Sequence, residues 1–379
     1  MHKDLLRNSP SLPYMLMRGG TSRGPLFLAE HLPANRELRD RVLMAAVGVQ
    51  DPLRVDGVGG ESSLTSKVAV VSRSSRMDAD VDYLFLQVSN AGADASPSCG
   101  NMLAAVGPFA IERGLVRASD DRTSVRVHCV NNGEVVDVEV CTPQGDVLYD
   151  GGTRIDGVCE PAAPVNIRYA APGPDFLTTG NPSDMVEGVE VTLLSAPQRV
   201  MLVRASDFGK TGYETPAELD ADKGFLARLE AVRRAAGRRM GMGDVSSLAT
   251  PKPVLLAPPR AGSITSRYFM PHSCHPSHAA NGAVAIAAAA ATPGTVAHAL
   301  ARRQGLDHET LTIEHPSGTL QVSVDLGAKG GIAALGLVRT ARLIAEGRIY
   351  LPEALAPALR AAWARTVRTG AFREADAIA

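Results

Sequence analysis

The chain has 379 residues, 45% hydrophobic and 21% charged, enough to bury one large core or two ordinary ones, and two domains are expected. Its 39 basic and 40 acidic side chains give a formal charge of −1, which excludes a global field for nucleic acid or an anionic membrane. Five scattered cysteines (Cys99, Cys129, Cys141, Cys159 and Cys274), with no CxxC pair, argue against a disulfide framework and a structural zinc site.

In chain order, residues 1–13 carry charges and two prolines but no apolar h-region, so a cytoplasmic setting is expected. Short alternating apolar runs at 14–17, 67–71, 83–88, 125–130, 134–140, 189–194 and 200–203 are bounded by Gly, Pro, Asn or Asp and predict strands. Residues 36–47 and 217–236 predict amphipathic surface helices. Two other helices, 102–112 after SCGN and 283–291 after HAANG, are apolar nearly all round and belong inside. The apolar stretch 282–292 is about half the length of a membrane span. Each half of the chain thus supplies strands, a glycine-containing turn, a buried helix and further strands. A Pro-, Gly-, Thr- and Asn-rich stretch at 166–184 marks a seam, giving lobes over 12–186 and 187–379, with the final segment able to pack back on the first lobe.

Four segments offer chemistry. Arg18-Gly19-Gly20-Thr21-Ser22-Arg23-Gly24 supplies amides, hydroxyls and guanidinium groups suited to a carboxylate, and equally reads as a glycine-rich hairpin. Thr65-Ser66-Lys67 opens a strand in which Lys67 shares a face with Ala69 and Val71, so Lys67 is either a snorkelling strand-end residue or a desolvated base. Ser98-Cys99-Gly100-Asn101, leading to Met102, puts a thiol where the helix dipole favours an anion, or else a small capping residue. His272, Cys274, His275 and His278 lack regular ligand spacing, so no metal is expected and imidazoles such as His272 are read as donors to an anionic substrate. The turn His315-Pro316-Ser317-Gly318 lies between apolar strands at 311–313 and 320–324.

The runs MLMRGGTSRG (15–24), GGESSLTSKVAVV (59–71), SCGNMLAAVGPFAIERGLV (98–116), GNPSDMVEGVEV (180–191), EHPSG (314–318) and GLVRTAR (336–342) closely resemble the family of 2-methylaconitate isomerase and 4-oxalomesaconate tautomerase. Within it, DGVGGESSLTSKVAVV (56–71), DADVDYLF (78–85) and TRIDGV (153–158) look nearest the tautomerase branch. The resemblance implies an α+β, diaminopimelate-epimerase-like fold: two pseudo-symmetric β-barrel-like lobes, each around a central helix, with the substrate cleft between them. Epimerases of this fold place one catalytic thiol beside each helix. Cys99 matches the first, whereas Ala279 stands at the second, so a two-thiol cycle is not expected.

What the resemblance implies instead is a base at Lys67, with Cys99 as its catalytic companion. Arg18, Gly19, Gly20, Thr21, Ser22, Ser66, Gly100, Asn101, Met102, His272, His315, Ser317 and Gly318 are then the substrate-binding candidates. The activity implied is a cofactor-independent 1,3-proton shift on 4-oxalomesaconate in aromatic-acid breakdown. The alternatives are 2-methylaconitate or aconitate isomerisation, and a non-catalytic tricarboxylate-binding protein. The partner expected is a small unsaturated tricarboxylate, with no nucleic acid or membrane, and the assembly considered is a homodimer.

Overall fold

A computed structural model describes residues 10–368, apart from 54, 271, 304, 307, 329 and 330. The first half runs β1 (Ser11–Gly19), β2 (Ser22–Leu28), α1 (Arg36–Val47), β3 (Lys67–Arg73), β4 (Val81–Ser89), β5 (Gly92–Asp94), α2 (Gly100–Glu112), β6 (Asp121–Cys129), β7 (Glu134–Thr142) and β8 (Pro164–Ala170). The second runs β9 (Asp184–Val186), β10 (Val189–Ser195), β11 (Arg199–Arg204), α3 (Pro216–Ala221), α4 (Lys223–Arg239), β12 (Lys252–Ala257) and β13 (Ile264–Tyr268). It continues with α5 (Ala280–Ala290), α6 (Val296–Leu300), β14 (His308–His315), β15 (Gly318–Leu326), β16 (Ile332–Tyr350) and α7 (Ala356–Arg368).

The strands repeat one pairing pattern. In the first half β1–β2 is antiparallel, β2–β3 parallel, β3–β4 antiparallel, β4–β6 parallel, and β6–β7 and β7–β8 antiparallel. The same sequence of orientations recurs from β10 through β16. The 19-residue strand β16 belongs to both halves, because its first part pairs with β15 and β8 and its remainder with β1. Pairing with β1 closes β1, β2, β3, β4, β6, β7, β8 and β16 into a barrel, while β16 to β9 form an open curved sheet.

The two all-apolar helices fill these sheets. Every residue of α5 is buried, as is every residue of α2 through Ala110, and both belong to one core cluster with the inward faces of the strands. Fully burying such a Leu, Val or Phe side chain contributes roughly 1.5–3 kcal/mol, so neither helix can be turned outward cheaply. Strand alternation splits β3 between two cores: Ala69 and Val71 face α2, whereas Val68 and Val70 face the outer layer under α1 with Leu43 and Val47.

Two expectations change in detail. The helix expected over 217–236 is two helices, since Asp222 ends α3 and its carboxylate accepts the Phe225 amide at 2.9 Å to start α4. The stretch 166–184, expected as a seam, begins inside β8, where apolar Val165, Ile167 and Tyr169 face the core. Among the described residues no helix is long and apolar enough to cross a membrane.

Candidate active site

Helices α2 and α5 meet with their N-termini facing the junction of the two halves. Cys99 is the N-cap of α2, its sulfur accepting the Met102 amide at 3.5 Å, and Ala279 is the N-cap of α5 with no side-chain cap. The asparagines at the second position of each helix reach across to the other half. Asn101 Nδ2 donates to His278 O (3.2 Å) and Thr21 Oγ1 (3.2 Å); Asn281 Nδ2 donates to Ser98 Oγ, and its Oδ1 accepts from Tyr169 (2.7 Å). A Cβ at Gly100 would lie 2.1 Å from Asn281 Oδ1, so this closeness requires glycine there.

Around the helix ends is a narrow cavity of about 30 Å3, lined on one side by Ser22, Lys67, Phe85, Gln87 and Cys99 to Asn101, and on the other by Gln198, Lys252, Tyr268, Met270, His275 and Asn281. It shares Gln87, Lys252 and Met270 with an open groove of about 500 Å3, which supplies an approach from solvent. Lys67 is 4% exposed. Its ammonium nitrogen sits 2.7 Å from Gln87 Oε1 and 5.2 Å from the Phe85 ring centroid. Gln87 is fixed in turn, its amide donating to Ser66 O (2.8 Å) and Ser63 O (3.3 Å). Burial lowers the Lys67 pKa, opposed by Cys99. An amine held this way has its lone pair available as a base.

The other residues expected at the site divide. Ser22, Gly100 and Asn101 line the cavity with Lys67 and Cys99. Ser66 lines the adjoining groove and its hydroxyl donates to Gly60 O at 2.5 Å, while Met102 offers its amide and buries its side chain in the core. Arg18 is not among the lining residues: its Nη1 donates to Gly20 O, Thr340 O and Thr340 Oγ1. The glycines beside it serve close packing. A Cβ at Gly19 would lie 2.4 Å from Asn101 O, and one at Gly24 would lie 2.1 Å from Lys67 O.

Gly20 and Thr21 border Asn101 and are not among the lining residues. His272 stands on the rim of the groove with its side chain 66% exposed, 3.9 Å from Glu230. The 315–318 turn packs on other loops: the Ser317 hydroxyl donates to Pro276 O, a Cβ at Gly318 would overlap Asp156, and the His315 ring lies tilted with its centroid 5.9 Å from that of His278.

The other histidines of the 272–278 cluster divide as well. His275 reaches the cavity while its Nδ1 accepts the Ser277 amide at 3.0 Å, and His278 is engaged by Ser266 Oγ and Ala279 O. Burial pushes the imidazole pKa well down at His275 and down to about 3 at His278, so both rings are neutral at pH 7. Among the described residues no group of His, Cys, Asp and Glu is gathered as metal ligands. Lys252 and Gln198 were not sequence candidates; Lys252 had a signal in the internal repeat, since Thr250-Pro-Lys252 echoes Thr65-Ser-Lys67, each lysine opening the strand that pairs in parallel with the previous hairpin, whereas Gln198 had none.

The PrpF protein family model matches residues 10–352. The chain belongs to the PrpF family. It is 49% identical to the 4-oxalomesaconate tautomerase of Pseudomonas putida over 347 residues, covering 90% of this chain and 96% of that one. Against the (4E)-oxalomesaconate Delta-isomerase of Novosphingobium sp. it is 43% identical over 352 residues, 91% and 99% of the two chains. A crystal structure of methylitaconate-delta-isomerase superposes with a TM-score of 0.75 at 30% identity, covering 92% of this chain and 98% of that one. The two helix-centred β lobes are therefore the fold of this PrpF member and of its solved relative.

Proposed function

We propose that this chain, an isomerase, moves a proton across three atoms of 4-oxalomesaconate or a close unsaturated analogue, with Lys67 as the base. The supporting observation is a buried amine that lines the cavity, held by Gln87 and set beside the N-terminus of α2. A carbon acid flanked by a carbonyl and carboxylates loses its proton to the neutral amine and becomes a dienolate. The developing negative charge falls near the α2 amides of Gly100 and Asn101, which, with Cys99 and Ser22, bind the carboxylates and that charge. Reprotonation at the other end gives the isomer, and the reaction so written calls for no cofactor.

The 49% identity to a named 4-oxalomesaconate tautomerase favours that acid, and the methylitaconate-delta-isomerase likeness favours the same proton shift on a smaller acid as the second reading. A lysine that only anchored a carboxylate would act as the ammonium, whereas burial at Lys67 favours the amine. The partner is thus a small organic acid, and a cytoplasmic homodimer completes the proposal.

The test is ultraviolet-monitored isomerisation, with the reaction repeated in deuterated water. Wild type should turn over oxalomesaconate and put solvent label in the product. Lys67→Met should abolish turnover with circular dichroism unchanged, while Cys99→Ser keeps measurable activity, because a hydroxyl still caps α2 and binds a carboxylate. Turnover by Lys67→Met together with complete loss in Cys99→Ser would make the thiolate the base.

A further inference from the structure

The cavity carries more donors than a proton shift at Lys67 uses. Lys252, the first residue of β12, is 3% exposed and lines it from the second half, in the place that Lys67 takes in the first. The two amines are held differently. Gln87 lies opposite Lys67 and offers it an amide oxygen at 2.7 Å. In the second half Val254 pairs with Tyr268, and the Phe269 amide donates to Pro253 O, which sets Met270 opposite Lys252. A thioether accepts too weakly to hold an ammonium, and among the described residues Lys252 Nζ has no hydrogen bond and no ion pair.

Gln198 adds a second donor. It is 5% exposed, lies two residues before the Val200 that pairs with Lys252, and lines the same cavity. Its Oε1 accepts the Ser98 amide at 3.2 Å, and among the described residues its Nε2 has no acceptor. The first turn of α5 adds amides that no side chain caps, and no acidic side chain is among the residues that line the cavity. Two helix ends and the Lys252–Gln198 pair therefore make three anion-binding places in one cavity.

We propose that Lys252 and Gln198 form the subsite for a third carboxylate, the other two lying at the N-termini of α2 and α5, and that they select tricarboxylic over dicarboxylic acids. This inference rests on the proposed isomerisation, in which Lys67 and the α2 end act on the reacting carbons; the subsite holds the remainder of the acid and takes no part in proton transfer. A dicarboxylate that filled the two helix ends would shut the Lys252 and Gln198 donors off from water with no acceptor, at the desolvation cost of the unmade bonds. A third carboxylate removes that cost and gains a charge-assisted bond. Burial, then the charge of Lys67, lower Lys252 to about 7, and a carboxylate placed against it favours the ammonium. The acid thus charges its own anchor.

The experiment is calorimetric titration of the full chain with tricarballylate and with glutarate, which lacks the central carboxylate of the former, alongside steady-state rates on 4-oxalomesaconate. Wild type should bind tricarballylate about 10–100-fold more tightly than glutarate. In Lys252→Met the two acids should bind within about threefold of each other, and KM for 4-oxalomesaconate should rise by the factor lost, more than kcat falls. Lys252→Arg, which keeps the charge and the donors, should recover most of the preference.

Equal affinity for the two acids in wild type, or a preference that survives Lys252→Met undiminished, would overturn the subsite. So would a loss of kcat with KM and the preference intact, which would place Lys252 in the chemistry. Should Lys252→Met fail to fold by circular dichroism, Gln198→Leu decides: the preference should narrow about fivefold, and an unaltered preference would refute the subsite. A wild type that prefers tricarballylate but does not isomerise 4-oxalomesaconate would instead refute the proposed function and uphold the subsite.

Discussion

Gln87→Glu tests the electrostatic basis of the site without changing its shape. The substitution swaps an amide for a carboxylate whose oxygen would stand where Gln87 Oε1 now lies, 2.7 Å from Lys67 Nζ. Opposite unit charges about 4 Å apart attract by about 4 kcal/mol at an effective dielectric constant of 20, equivalent to about 3 pKa units at 1.36 kcal/mol each. The attraction favours the ammonium, so the Lys67 pKa rises from its burial-lowered position. A base works only when deprotonated, and the acid limb of the rate profile must then move to higher pH. At a fixed pH below the new value, kcat/KM should fall by up to ~10³-fold and recover as pH is raised. The carboxylate also stops donating to Ser66 O and Ser63 O, which costs about 1–3 kcal/mol of stability. The assay is kcat/KM against pH, with thermal unfolding recorded alongside. A folded variant whose acid limb coincides with that of wild type would refute the assignment of Lys67 as a desolvated base.

Gly100→Ala should destabilise the protein by about 1–3 kcal/mol, as overpacking does, because the new Cβ would lie 2.1 Å from Asn281 Oδ1 and 2.9 Å from the Tyr169 hydroxyl; an unaltered Tm would show that the helix ends can separate freely. Glu314 accepts the amides of Arg260, Ala261 and Gly262 and the Thr265 hydroxyl, and these bonds outweigh the cost of burial and hold its carboxyl down to about 2, from an ordinary 4.5. A pKa depressed on folding gives stability that is present above pH 4.5 and lost as pH falls toward 2. Glu314→Gln should therefore be less stable by about 2 kcal/mol at pH 7, after discounting for solvent screening, and denaturant melts should show that gap closing between pH 5 and 2. A gap independent of pH would refute it.

Much of the framework was legible in the residues themselves. Helices α2 and α5 are apolar all round, and such a helix belongs in an interior rather than on a surface. The alternation of Lys67 with Ala69 and Val71 fixed the face on which the lysine lies, because side chains in a strand alternate whatever the fold. SCGN placed Cys99 at a helix N-cap for similarly local reasons. The family motifs supplied the choice between a snorkelling lysine and a base, which periodicity alone left open.

Other features depend on contacts between residues far apart in the chain, and tertiary structure decided them. Arg18 and the glycines of its segment resemble an anion site in sequence, yet the guanidinium bonds to Thr340 on β16 and the glycines admit α2 and β3 closely. His272 and His275 are indistinguishable as loop histidines, but closure of the loop against Tyr268 buries one and leaves the other on the rim. Lys252 lies 185 residues beyond Lys67 by their numbers. Only the pairing of β16 with strands of both halves brings the two lysines into one cavity, since no local rule acts over such a separation.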